Sequence, residues 1–336
     1  MSLPPVEIPL GAMRFNSDSQ KLEYWNGQIW MQIHTFSPNL DGGARGLWFC
    51  GSTPGDNEIN NIEYYTIPTQ GNGTDFGDAT VAVRQGTALS SSTRGLHLGG
   101  FDGSSRLNTI GYVTIASTGN AADFGDLSQT CIGHPAGFAS ATRGINAGGE
   151  SPGNTNEIEY VTIASTGNGV DFGDMTYAAQ GVYGGGNSTR GLIAGGFTPT
   201  VLNHINFISI ATTGNASDFG DLTQARRGGS LGQSSNATRH IFYGGQTPTM
   251  VDTIDYVTIA TTGNATHFGD TGTGVGVPAA MADSIRAVFA GGDAPSSVNT
   301  VNYITMATQG DSVDFGDATI VISGASGCSN AHGGLG

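Results

Sequence analysis

The sequence predicts an all-β protein built from six copies of one four-stranded unit, preceded by a small separate module. Three observations carry this expectation: a nine-residue phrase recurring at a near-constant interval, a composition hostile to helices, and a change of character near the N-terminal end. The phrase reads QGNGTDFGD (70–78), TGNAADFGD (118–126), TGNGVDFGD (166–174), TGNASDFGD (213–221), TGNATHFGD (262–270) and QGDSVDFGD (309–317). Its last quartet starts at positions 75, 123, 171, 218, 267 and 314, giving steps of 48, 48, 47, 49 and 47 residues. A regular period of this length signals stacked or radially arranged repeats.

Composition sets the type of unit. The 336 residues include 55 glycines, only 12% are charged, and Thr, Ser, Asn, Val and Ile abound. Gly, Asn and β-branched residues all lose free energy inside a helix, so almost no helix is expected. A hydrophobic content of 37% falls in short regular clusters, which suits many small sheets better than one large core. Within one period, Ser128–Ser140, the stretch ATRGINAGG from Ala141, EIEYVTIAS from Glu157 and DFGDM from Asp171 each have strand length and are divided by turn residues. Four antiparallel strands per period of about 50 residues is the signature of a propeller blade.

The phrase itself is structural on this reading. Phe76, Phe124, Phe172, Phe219, Phe268 and Phe315 stand in register, whereas a kinase-type Asp-Phe-Gly is needed once, beside a Lys and a Gly-rich loop. The six phenylalanines are expected to fill the space between blades, with Asp123, Asp126, Asp171 and Asp174 flanking Phe124 and Phe172. Six of eleven arginines, Arg45, Arg94, Arg143, Arg190, Arg239 and Arg286, occupy one equivalent position at the start of the second strand. There each is expected to approach an aspartate of the phrase. Patterns such as YVTI and FISI, apolar on both faces, fit strands covered on both sides by neighbouring blades.

The order of features resembles the kelch repeat: a turn arginine, a strand closing on Gly-Gly, a strand bearing Tyr, then an aromatic strand. Doublets stand at Gly99-Gly100, Gly148-Gly149, Gly195-Gly196, Gly244-Gly245 and Gly291-Gly292, with Cys50-Gly51 in the first unit. The tryptophan usual in the fourth strand of kelch blades is replaced by the phenylalanine of the phrase, so the array is kelch-like. The resemblance implies a six-bladed β-propeller over residues 44–336. Because the first unit starts at its second strand and residues after Asp317 match a first strand, the ring is expected to be closed by the C-terminal strand, Ile320–Cys328, pairing with Arg45–Gly51. Such closure removes two free sheet edges.

Residues 1–43 lie outside the period. MRFN, KLEYW and QIWMQI read as a three-stranded β-meander, joined through Ser17–Gln20 and through Asn26-Gly27, a type I′ hairpin signal. About 23 residues are too few for independent stability, so docking on a partner is expected. The stretch from Gly11 to Trp30 also resembles a small β segment of tail-fibre and other virion proteins of tailed phages. That resemblance implies a virion attachment segment, with Arg14, Phe15, Tyr24, Trp25 and Trp30 as contact residues and other virion proteins as partners.

Loops between second and third strands differ in every unit. Phe101, Arg106, Phe197, Leu202, His204 and Met250 each appear once in equivalent loops; unequal loops on an equal scaffold are how a binding face is built. These six are the candidate ligand residues, and a host-surface glycan or protein is the candidate ligand. A formal charge of −15 with a single lysine, Lys21, disfavours nucleic acid and anionic membranes. No apolar run is long enough for membrane insertion, and the N-terminus lacks signal-peptide character, so synthesis in the cytoplasm is expected; incorporation into a virion is what the resemblance to tailed-phage proteins implies. No catalytic constellation or cofactor motif is found: Asp-box motifs are missing and the histidines are scattered; the Asn and two Asp of the phrase could offer oxygens to Ca²⁺, but the spacing lacks a Ca²⁺ loop signature, so no metal is expected. Cys50, Cys131 and Cys328 have no metal-ligand spacing and are expected to be buried free thiols, Cys50 and Cys328 lying near opposite ends of one strand pair. The function expected is therefore a non-enzymatic phage structural protein, either a tail-fibre-like appendage or a capsid-surface component. A cellular kelch-like interaction scaffold and a carbohydrate-binding or enzymatic propeller stay open as alternatives.

Overall fold

In the computed structural model, which describes residues 8–16, 21–32 and 44–335, the chain is all-β apart from one 3₁₀ turn at Gly333–Leu335. It divides into two compact units, residues 1–40 and 41–336. In the larger unit each period yields short antiparallel strands, an arrangement compatible with a β-propeller. The second repeat pairs Thr87–Ser90, Arg94–Phe101, Arg106–Thr114 and Ala122–Asp126 in that order. The third and fourth repeat the pattern with Ala136–Ala139 to Val170–Asp174 and Tyr183–Gly186 to Ser217–Asp221.

The first sheet takes its innermost strand from the far end of the chain. Ser326–Ser329 runs antiparallel to Arg45–Phe49, with Ser326 opposite Phe49 and Ser329 opposite Gly46. Asn61–Thr66 and Thr74–Asp78 complete that sheet. Cys328 faces Leu47, beyond reach of Cys50 at the other end of the pair, and all three cysteines are free and buried.

The repeated phrase is a β-bulge. Opposite Ile110 stands Gly125 and opposite Gly111 stands Asp123, so Phe124 is the extra residue; the same shift recurs in the other five repeats. A bulge redirects one side chain, and here it sends the phenylalanine into the junction with the next repeat. The glycine after it has no alternative: Gly125 sits at φ 146°, and a Cβ there would lie 2.5 Å from the carbonyl oxygen of Gly167.

Apolar burial follows the junctions. Each of six core clusters draws on two successive repeats; one joins Phe49, Ile62 and Phe76 to Val113 and Ile115, and another joins Val288, Val301 and Phe315 to Trp48 and Tyr65. The last of these links the sixth repeat to the first. At about 25 cal/mol per Å² of apolar surface removed from water, these interlayers are the main favourable term holding the repeats together.

At the centre the repeats are unequal. The first strand of the fifth repeat bulges out of its own sheet at Leu231–Gly232, between the bonds from Ser230 N–H to Tyr243 O and from Ile241 N–H to Ser234 O, and there pairs in parallel with Ala279–Ala282 and Ser326–Ser329. It touches the first strands of all five other repeats. Only glycine fits, since Gly232 lies against the backbone of both Gly327 and Ala280.

The smaller unit is a three-stranded meander of Met13–Asn16, Lys21–Trp25 and Trp30–Gln32. Its second loop differs from the type I′ expectation: Trp25 pairs with Trp30, leaving four loop residues, and only Gly27 has positive φ. The Asn26 side chain explains this by accepting from the backbone N–H groups of Gln28 (2.9 Å) and Ile29 (2.8 Å). The expected turn at Ser17–Gln20 and the composition shift at Phe36–Gly43 lie outside the described residues.

Candidate functional site

Two rings of contacts in the larger unit separate scaffold from site. The outer ring has one geometry at every junction, with an asparagine acceptor at five and Asp311 at the sixth. Asn168 accepts from the backbone N–H of Asp126 at 3.1 Å, and Asn215 from that of Asp174; Asn72 closes the cycle by accepting from Asp317. Backbone bonds flank each one, such as Gly167 N–H to Phe124 O at 2.8 Å and Gly71 N–H to Phe315 O at 3.0 Å. The asparagine oxygen is thus occupied by an amide.

The repeated arginines depart from the sequence expectation. Arg94 donates to the carbonyl oxygen of Ile163 (3.0 Å), Arg143 to those of Ile210 and Ala211, and Arg286 to those of Ile67 and Pro68. Arg45, Arg190 and Arg239 reach the equivalent carbonyls of the following repeat. None forms an ion pair with an aspartate of the phrase among the described residues. The cause is local: the carbonyl just past each third strand has no ladder partner and needs a donor, while Asp123 and Asp171 face water, where an ion pair gains little. Each guanidinium also lies over an aromatic ring of its own third strand, Arg94 at 4.8 Å from Tyr112 and Arg143 at 4.6 Å from Tyr160. Those rings meet Phe124 and Phe172 edge-on at 5.9 and 6.1 Å.

The inner ring lies where the chain enters each first strand. Six backbone bonds link successive repeats: Gln85 to Gly324, His134 to Gln85, Gly181 to Gly133, Gly228 to Gly181, Val277 to Gly228 and Gly324 to Val277, donor first. All six equivalent positions are left-handed, with φ between 49° and 67°. Glycine serves at Gly181, Gly228 and Gly324. Gln85 (63°), His134 (56°) and Val277 (49°) hold the same conformation against a cost of roughly 1–2 kcal/mol each. A β-branched residue there is an outlier of the kind that clusters at functional sites.

These residues line a crater of about 220 Å³, completed by Gln180, Arg227, Gln246, Met250 and Asp293. Backbone bridges fix its wall to the variable loops: Gln180 pairs with Phe197, Arg227 with Gln246 and Gly276 with Asp293. The loop face and the crater are therefore one surface. Burial and the nearby guanidinium groups of Arg227 and Arg84 push the His134 imidazole down to about 4, so the ring is neutral at pH 7. Its Nδ1 is buried without a hydrogen-bond partner among the described residues. Asp293 accepts from the Ser297 hydroxyl at 2.9 Å.

Of the loop residues singled out by sequence, Met250 lines the crater. Phe197 stands behind it as a platform for Arg227, whose guanidinium is 4.5 Å from the ring centre. Phe101 plays the same part under Arg84 at 5.6 Å. Arg106 is spent on a bridge to the next repeat, ion-paired with Glu150 and donating to Pro152 O at 3.0 Å. Leu202 packs against the core between the third and fourth repeats. His204 is exposed, 3.3 Å from Asp221 and beside Tyr177. Sequence reasoning missed Gln85, His134, Gln180, Arg227, Gln246 and Asp293. Aligning the residues that lead into each first strand, RQG, GHP, QGV, RGG, GVP and SGA, would have exposed the positions where glycine is given up.

In the meander, Arg14 pairs with Glu23 at 2.8 Å and covers Trp30 at 4.2 Å, while Trp25 and Trp30 are 5.5 Å apart. The strand pattern places Met13, Phe15, Tyr24 and Met31 on the other face, where Phe15 is 66% and Met13 60% exposed. Among the described residues no group of three or more His, Cys, Asp or Glu is placed to hold a metal ion, and no helix is long and apolar enough to cross a membrane. Compared with protein-family models and with curated proteins, the chain matches none.

Proposed function

We propose that residues 44–336 form a six-bladed, kelch-like β-propeller closed by the C-terminal strand, and that the protein is a non-enzymatic virion component of a tailed phage. The meander of residues 1–43 attaches it to other virion proteins, and the loop face meets a host-surface glycan or protein. The observation that supports this reading is the contrast between a junction built alike around the ring and a crater lined by side chains that vary from repeat to repeat. A scaffold that repeats and a mouth that does not is the construction of a display module.

Chemistry at the crater supports binding over catalysis. Its lining supplies amides, a neutral imidazole, one carboxylate and one guanidinium, without a Ser, Cys or Lys nucleophile. The three thiols are buried and pushed up to about 12, far from the thiolate form a nucleophile needs. The exposed apolar face of the meander, on a sheet too small to be stable alone, supports its role as an attachment segment. In an array of copies, weak loop contacts would act together through effective concentration.

The test is particle composition. With residues 1–43 deleted, the protein is expected to stay soluble and β-rich and to be missing from purified virions by mass spectrometry. Normal incorporation of the truncated protein would reverse the assignment of anchor and display.

A further inference from the structure

We propose that the crater is a subsite for a single acidic sugar residue, its carboxylate held by Arg227 and its hydroxyls by Gln85, Gln180, Gln246, His134 and Asp293. This rests on the reading of the loop face as a binding surface and adds the ligand class.

The arginines supply the first argument. Arg14, Arg84, Arg106 and Arg226 are ion-paired with carboxylates, and the six repeated arginines are bound to backbone carbonyls. Arg227 alone has no acceptor among the described residues; its ring contact with Phe197 orients the guanidinium and leaves the N–H donors open. A pre-oriented planar fork with free donors matches a carboxylate bidentately.

The second argument is the rest of the lining. The amides of Gln85, Gln180 and Gln246 make no side-chain hydrogen bond among the described residues, and each offers both donor and acceptor atoms. His134 adds a buried ring nitrogen without a partner, and Asp293 adds acceptors. A cluster that mixes donors and acceptors fits hydroxyl groups, which are both. Gln85 and His134, with Val277, hold the left-handed conformation of the inner ring, so their placement carries a conformational cost.

Size and charge narrow the class. About 220 Å³ is below the roughly 300–1,000 Å³ of sites for drug-sized ligands, so one ring enters and the remainder of a chain stays outside. One free guanidinium beside one carboxylate leaves the lining neutral overall, so a ligand is limited to a single negative charge, paired with Arg227 and held away from Asp293. A phosphate, carrying about −1.5 to −2 at pH 7, would be left under-compensated next to Asp293.

The full-length protein is to be titrated calorimetrically, and by ligand-observed NMR, with methyl β-glucuronide, methyl α-galacturonide and the methyl glycoside of N-acetylneuraminic acid, against methyl β-glucoside as the neutral control. At least one acidic glycoside is expected to bind at least tenfold more tightly than the neutral one. Arg227→Gln is expected to abolish that preference with the thermal midpoint within a few degrees of the parent, and Gln246→Leu to weaken acidic and neutral sugars alike. Equal binding of acidic and neutral sugars overturns the proposal while leaving the loop face as a binding surface. Binding of no sugar at millimolar concentration, or an Arg227→Gln protein that keeps the preference, also overturns it. Particle incorporation, which tests the broader reading, is unaffected by either result.

Discussion

The rim and the centre of the ring are built from the same repeats by opposite rules. At the rim, each junction uses the same bulged phenylalanine, the same glycine and the same side-chain-oxygen-to-amide bond, made by asparagine five times and by Asp311 once. At the centre, one first strand bulges out of its sheet and three left-handed positions carry side chains. Repetition is kept where every unit must meet an identical neighbour. Divergence concentrates where six units meet each other at once and cannot all be equivalent.

The largest expected effect separates the two regions by acid. Burial pushes His97, His134 and His332 down to about 4 and His240 to about 3, and all four lie on or beside inner strands. Their folded values are below the unfolded value of about 6.5, so the unfolded chain binds more protons and stability falls as pH drops through roughly 6.5 to 4. Each contributes about 1.4 kcal/mol per pH unit in that window. Glu63 and Glu157, raised chiefly by burial, oppose part of this above their unfolded value. Urea midpoints measured from pH 7 to pH 5 should fall steeply, and His240→Phe should remove about one proton from the slope. A flat profile would mean the centre is as acid-tolerant as the rim.

Next in size is a break at the rim. Gly125→Val combines a strained φ with a Cβ placed 2.5 Å from Gly167 O, and is expected to cost about 3 kcal/mol or more. Denaturant unfolding measures it; a loss under about 1 kcal/mol would show that the junction yields. Arg94→Ala removes a charge-assisted bond to Ile163 O and the cover over Tyr112, for an expected loss of about 2 kcal/mol. Arg94→Asp should not be rescued by Asp126→Arg, because the pair is not in contact.

The smallest effect has the opposite sign. Third strands carry an acceptor facing the previous repeat: Glu159 takes the Ser128 N–H, Asn206 the Thr176 N–H and hydroxyl, and Asp255 the Thr223 hydroxyl. The second repeat has Gly111 there, beside Thr80. Gly111→Asn is expected to raise stability by about 0.5–1 kcal/mol, from a less flexible unfolded chain and a restored bond, read as an upward shift in thermal midpoint.

Legibility followed the same division. The period, strand content and C-terminal strand pairing could be read because glycine, the β-branched residues and the phrase repeat with the backbone. The arginine contacts could not, because their acceptors are carbonyls, and a carbonyl has no letter in the sequence. Arg227 was hidden for a related reason: it is marked only by lacking what ten other arginines have. The displaced strand at Leu231–Gly232 was invisible because its pairing is decided by five neighbours far along the chain.

The bonds across the last junction, Asp317 to Asn72 and Arg286 to Ile67, are copies of those across junctions that the chain itself traverses. A cycle has no first member. A gene rearranged to begin at the phrase of another repeat, with Ser329 joined through a short linker to Arg45, would keep both of these contacts. What such a rearrangement would give up is the C-terminal turn, where His332 Nε2 meets Ser90 O at 2.8 Å and Gly333 N–H donates to Ser235 O at 2.8 Å.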